Sequence, residues 1–132
     1  MSGCSLPSLD NRTISSALLK SEARATRIGT AVATRADQHP GKSGIYPLPN
    51  PYDAFAARML LAKAADRTLD VQYYIWHKDI TGTLLLEALH EAARRGVRVR
   101  LLLDDNGISD MDEDLKTLDS HPNIEVRLFN PY

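Results

Sequence analysis

A single cysteine, Cys4, stands among the 132 residues, so no internal disulfide can staple the chain and its stability must come from packing. No apolar run approaches the ~20 residues a helix needs to cross a bilayer, which excludes a membrane-spanning helix within this stretch. Also missing is a concentrated basic stripe interleaved with aromatics, the footprint of backbone binding to nucleic acid, so nucleic acid is not an expected partner. Gly41-Lys42-Ser43 invites a phosphate-loop reading, but Ala36 stands where that motif needs its first glycine.

What is present suits one packed core: 43% of residues are hydrophobic and 25% charged, over a length that supports one domain and not two. The net charge of −1 conceals a split, about +3 over residues 1–44 and −4 over the remainder. Residues 5–44 are rich in Ser, Thr, Ala and Arg, with apolar positions too sparse to define a long buried face. They read as a flexible arm carrying one short helix over 15–27, either a solvated tether or a segment near an anionic membrane surface. Met1-Ser2-Gly3-Cys4 matches the end of a bacterial lipobox, in which small residues precede a cysteine that becomes lipidated. Two readings stay open: a lipoprotein anchor whose translation begins further upstream, or a free thiol in the tail.

From residue 45 the pattern is regular. A short strand is expected over 45–48, ended by Pro47, Pro49 and Pro51. Phe55, Met59 and Ala62 recur at helical spacing over 52–65, with Asn50 or Pro51 to start the helix. Residues 69–76 form the best strand, apolar except at Asp70 and Gln72, and a strand of that kind expects cover on both faces. A helix over 82–95 ends in arginines and Gly96, and 97–103 is a second long strand, closed by Asp104-Asp105-Asn106-Gly107. Asp110, three residues before Glu113, has the spacing of a capping box for a short helix to about 120. After the His121-Pro122-Asn123 turn, 124–128 alternates strictly, as a strand with one wet face should.

Strands alternating with helices imply an α/β fold with a mostly parallel sheet and flanking helices. Function in such sheets gathers at the carboxyl ends of the strands, here the 77–82 and 104–107 loops and whatever follows Leu128. The pair Asp104-Asp105 could hold magnesium, as in response-regulator receiver domains, but those carry the pair after their first strand. Capping of a loop or turn is the favoured reading, and no metal site is expected. Trp76, Asp79 and Gly82 suit core packing, helix capping and a tight turn respectively, and Lys78 suits a solvated loop.

The segment 69–76, with Asp79, Thr81, Gly82 and the Leu84-Leu85-Leu86 helix, resembles the opening of the phospholipase D fold in bacterial cardiolipin synthases. So do 96–105 and 121–131, and the resemblance runs from about Ser43 to Tyr132. It implies phosphodiester chemistry without a metal or other cofactor, through two copies of H-x-K-x-x-x-x-D, with phospholipids as both donor and acceptor. One histidine attacks phosphorus; the other protonates the leaving alcohol and later activates the incoming one. The chain carries no such motif: two residues after His39, His77, His90 and His121 stand Gly41, Asp79, Ala92 and Asn123. The contiguous His77-Lys78-Asp79 lacks the spacing. The expectation is therefore a partial domain over 45–132, with no catalytic residue of its own, completed by a missing C-terminal portion and associated with a membrane. Trp76, His77, Asp79, Asp104 and Asp105 are the candidates for the rim of a lipid site. The alternative is a non-catalytic, lipid-anchored binding or assembly module.

Overall fold

The structure, a computed structural model, describes residue 10 and residues 14–131; Cys4 and its proposed lipidation lie outside the described residues. Three strands, β1 (Thr68–Tyr73), β2 (Arg98–Asp104) and β3 (Ile124–Phe129), pair in the order β1-β2-β3, and both pairs are parallel. The connections are helical: α4 (Ile80–Arg94) joins β1 to β2, and α5 (Asp112–Asp119) joins β2 to β3. The expected α/β architecture with a parallel sheet is present.

Register fixes what each face of the sheet offers, because side chains alternate along a strand. One face carries three apolar rows, Leu69–Val99–Ile124, Val71–Leu101–Val126 and Tyr73–Leu103–Leu128. Onto this face α4 places Leu85, Leu89, Ala92 and Ala93, and α5 places Leu115 and Leu118, all buried in one cluster. Ahead of the sheet, α3 (Pro51–Ala64) is capped by Asn50, whose side chain accepts from the Tyr52 and Asp53 N–H groups, and starts with proline at its first position. It lies against α4, tied by Arg95, which donates to the Ala62 carbonyl at 2.9 Å.

The opposite face differs from expectation: it is not covered by helices. Its rows are Asp70–Arg100–Glu125 and Gln72–Leu102–Arg127. Arg100 forks onto both oxygens of Asp70 at 2.7 and 2.8 Å, and Arg127 pairs with Glu125. An apolar run needs a dry neighbour on each side, whereas an ionic row tolerates water. The polar positions 70, 72, 98, 100, 125 and 127 all fall on one face, and they are why that face stays open.

Further differences have local causes. Residues 45–48 form no strand: Ile45 and Tyr46 are exposed, and Pro47 and Pro49 bring no N–H to a ladder. The strand read over 69–76 stops at Tyr73, and Trp76 turns back into the core. The Asp110–Glu113 box does not form, because Asp110 takes a left-handed φ of 63° outside the helix, Met111 precedes α5, and Glu113 pairs with Lys116. Where one short helix was expected over 15–27 there are two, α1 (Lys20–Arg24) and α2 (Arg27–Gln38), the second capped by the Thr26 hydroxyl accepting from Gly29 N–H at 3.0 Å. These helices touch the sheet unit through Arg27, which donates from its backbone and side chain to Asp66 at 2.6 Å each. The preceding stretch lies along the polar sheet face, where Arg100 meets the Ser15 hydroxyl.

Candidate functional site

The loops at the carboxyl ends of β1 and β2 meet. Trp76 N–H donates to the Gly107 carbonyl at 2.9 Å, and a Cβ at Gly107 would fall inside 3.0 Å of the Tyr74 carbonyl. This contact joins the two groups of residues singled out from the sequence: Trp76, His77 and Asp79 on one loop, Asp104 and Asp105 on the other.

Trp76 is buried, with its ring edge-on to Tyr73 at 4.7 Å, so its core role is as expected. Its indole Nε1, however, is buried without an acceptor among the described residues. Asp79 caps α4: its carboxylate accepts from Gly82 N–H at 2.7 Å and the Thr81 hydroxyl at 2.8 Å. These bonds, the Gly82 N–H first, hold its carboxyl below the ordinary aspartate range, with a smaller contribution from the neighbouring His77. The tight turn expected at Gly82 is real in that a Cβ there would fall inside 3.0 Å of the His77 carbonyl. Lys78, expected to be free in solvent, pairs with Asp114 of α5 at 2.5 Å while staying more than half exposed.

Asp104 is the buried carboxylate of the fold, 6% exposed. One oxygen accepts from Asn106 N–H at 3.0 Å, starting the 3-10 turn Asp105–Gly107, and the other from the Asn130 side chain at 3.3 Å. Asn130 holds a left-handed φ of 51°, which aims its amide back at β2. Asp104 thus locks the end of β2 to the end of β3. Among the described residues no group of three or more His, Cys, Asp or Glu is placed to hold a metal ion.

Beside Trp76 a cleft of about 150 Å³ is lined by Phe55, Arg58, Tyr73, His77, Asp79 and Gly82, among others. Arg58 was not singled out from the sequence. It lies over the Tyr73 ring, 5.8 Å from the centroid, and its spacing from Phe55 and Ala62 on α3 was the signal that it faces this end of the sheet.

A pH prediction follows from the two best-held carboxylates. Asp70, bonded chiefly to Arg100, also titrates below its usual range. An unfolded aspartate titrates near ~3.9. With folded values lower, both groups contribute stability that is complete above that pH and drains away as pH falls through the folded values. Acid titration followed by circular dichroism should therefore show unfolding beginning below about pH 4. In the Asp79→Asn variant, which still caps α4, the stability lost between neutral pH and pH 3 should be smaller. An unchanged acid loss in that variant would remove Asp79 from the account.

No family model matches the chain. In sequence it is similar to cardiolipin synthase C of Escherichia coli K12, 59% identical over 106 residues, 80% of this chain and 22% of that protein. It is also 37% identical over 119 residues, 90% of its length, to an uncharacterized protein of Helicobacter pylori 26695, of which it covers 24%. The chain therefore spans about a fifth to a quarter of the curated relatives it matches. Among solved structures, TrmBL2, an archaeal chromatin protein, aligns over 86% of this chain and 44% of its own, at 15% identity and a TM-score of 0.48, too loose a likeness to bear on ligand or function. No helix among the described residues is long and apolar enough to cross a membrane. The sequence match decides the relationship: this chain is a cardiolipin synthase-like relative within the phospholipase D superfamily.

Proposed function

We propose that residues 45–132 form the opening, non-catalytic part of a cardiolipin synthase-like phospholipase D domain, with residues 1–44 as its membrane tether, anchored through Cys4. The observation that carries this reading is the 59% identity to cardiolipin synthase C. In the reaction proposed for the longer protein, a histidine attacks the phosphorus of one phospholipid and a second histidine protonates the departing alcohol. The phosphohistidine then passes its phosphatidyl group to the hydroxyl of an incoming phospholipid, which gives its proton to the second histidine. This chain supplies neither histidine, because no H-x-K-x-x-x-x-D occurs in it. Its part is to set the carboxyl edge of the sheet, where Trp76, His77, Asp79, Asp104 and Asp105 form the rim of the lipid site, with phospholipid and the membrane surface as partners rather than nucleic acid.

Two experiments test this. The purified chain, given vesicles containing a radiolabelled phospholipid, should release and transfer no label; product formation lost in His77→Ala would overturn the proposal. Grafted in place of the matching segment of the E. coli enzyme, residues 43–131 should preserve phosphatidyl transfer. A folded, membrane-bound chimera without activity would favour the binding-module alternative.

A further inference from the structure

The cleft beside Trp76 contains more donors than acceptors. Trp76 is 4% exposed, and its Nε1–H is buried with no partner among the described residues, which is uncommon in folded proteins and calls for an acceptor. Nε1 faces Gly82, where even a Cβ would come within 2.9 Å of it. Arg58, on the same cleft, makes no ion pair or hydrogen bond among the described residues; its recorded contact is the Tyr73 ring. His77 adds a third polar group. The one carboxylate, Asp79, is already engaged by the first turn of α4 and by Thr81.

We infer that this cleft binds a phosphodiester, its anionic oxygen paired with Arg58 and a second oxygen accepting from Trp76 Nε1–H. The chemistry selects the diester. An uncharged acceptor would leave Arg58 without a counter-ion, whereas a dianionic monoester would place an extra negative charge beside Asp79. A volume of about 150 Å³ takes a phosphate group with a few carbons on either side, and not a lipid's acyl chains. The inference rests on the proposed function only in making a phospholipid headgroup one source of the diester; a soluble glycerophosphodiester has the same chemistry.

The chain has one tryptophan, so a single indole Nε1–H resonance reports the site in a ¹⁵N-correlated NMR spectrum of the full chain. Titration with glycerophosphoglycerol should move that resonance saturably, inorganic phosphate should move it more weakly, and Arg58→Gln, a change at an exposed helix position, should weaken binding about tenfold or more. Response to phosphatidylglycerol vesicles but not to the soluble diester would assign the source to the membrane. Response to both would assign the free headgroup as sufficient. A resonance that stays in place with every probe in a folded sample, tighter binding of inorganic phosphate than of the diester, or full binding by Arg58→Gln would each overturn the inference. Because none of these readouts involves turnover, a failed cleft and a failed scaffold reading are separable.

Discussion

Leu101→Ala should destabilise the fold by about 2–5 kcal/mol, a large share of the ~5–15 kcal/mol that holds a domain of this size together. The reason is its place. Leu101 is the middle residue of the middle strand, with Val71 on one side and Val126 on the other, and it is 1% exposed. Truncation removes buried methyl groups and leaves a cavity that β2, held on both edges, cannot collapse to fill. Leu102, the next residue, points to the other face and is only half-buried between Gln72 and Arg127. Leu102→Ala should cost under about 1 kcal/mol, near the range of surface substitutions. Urea melts of the two variants give the comparison directly. Equal losses would mean that the polar face is covered in solution, contrary to the structure.

That asymmetry also measures what was legible beforehand. Alternation along 98–104 and 124–129 was visible as text, and so were the crossover helices, because Leu85, Leu89, Leu115 and Leu118 recur at helical spacing. The three long strands and their parallel order followed. What failed was the inference from composition to cover. The 69–76 segment was read as wholly buried because it is apolar, yet Tyr74 and Ile75 belong to a loop and are exposed, and Asp70 and Gln72 already marked a wet face. The 45–48 strand failed because apolar residues between prolines meet a propensity but not a ladder. Helix α2 was missed because its stability rests on Thr26 and on the Arg27–Asp66 bond, a contact between residues 39 apart that no local pattern announces.

The candidate site was legible in part. Capping by Asp79 and core packing by Trp76 follow from residue type and position. The pairing of Lys78 with Asp114, of Asp104 with Asn130, and of Trp76 with Gly107 are all long-range and became visible only in the fold. Arg58 joins them, since its meaning depends on which end of the sheet α3 approaches. Local signals place residues at the carboxyl edge; the tertiary contacts decide which of them meet.

Gly107→Ala tests the most consequential of these contacts. Gly107 is needed for space and not for backbone freedom, because a Cβ there would stand inside 3.0 Å of the Tyr74 carbonyl and 3.0 Å from Ile75 Cα. These are backbone atoms, which cannot swing aside as a side chain would, so the loops must part. The expected cost is about 1–3 kcal/mol, the usual range for overpacking. Separation should also break the Trp76 N–H bond to the Gly107 carbonyl and shift the indole resonance. Gly44→Ala is the matched control: a Cβ there meets nothing within 4 Å, and the change should lie within about 0.5 kcal/mol of neutral. If Gly107→Ala melts like Gly44→Ala and leaves the indole signal in place, the loops after β1 and β2 do not touch in solution. The rim residues would then be two separate groups, and a ligand contacting both would have to draw them together itself.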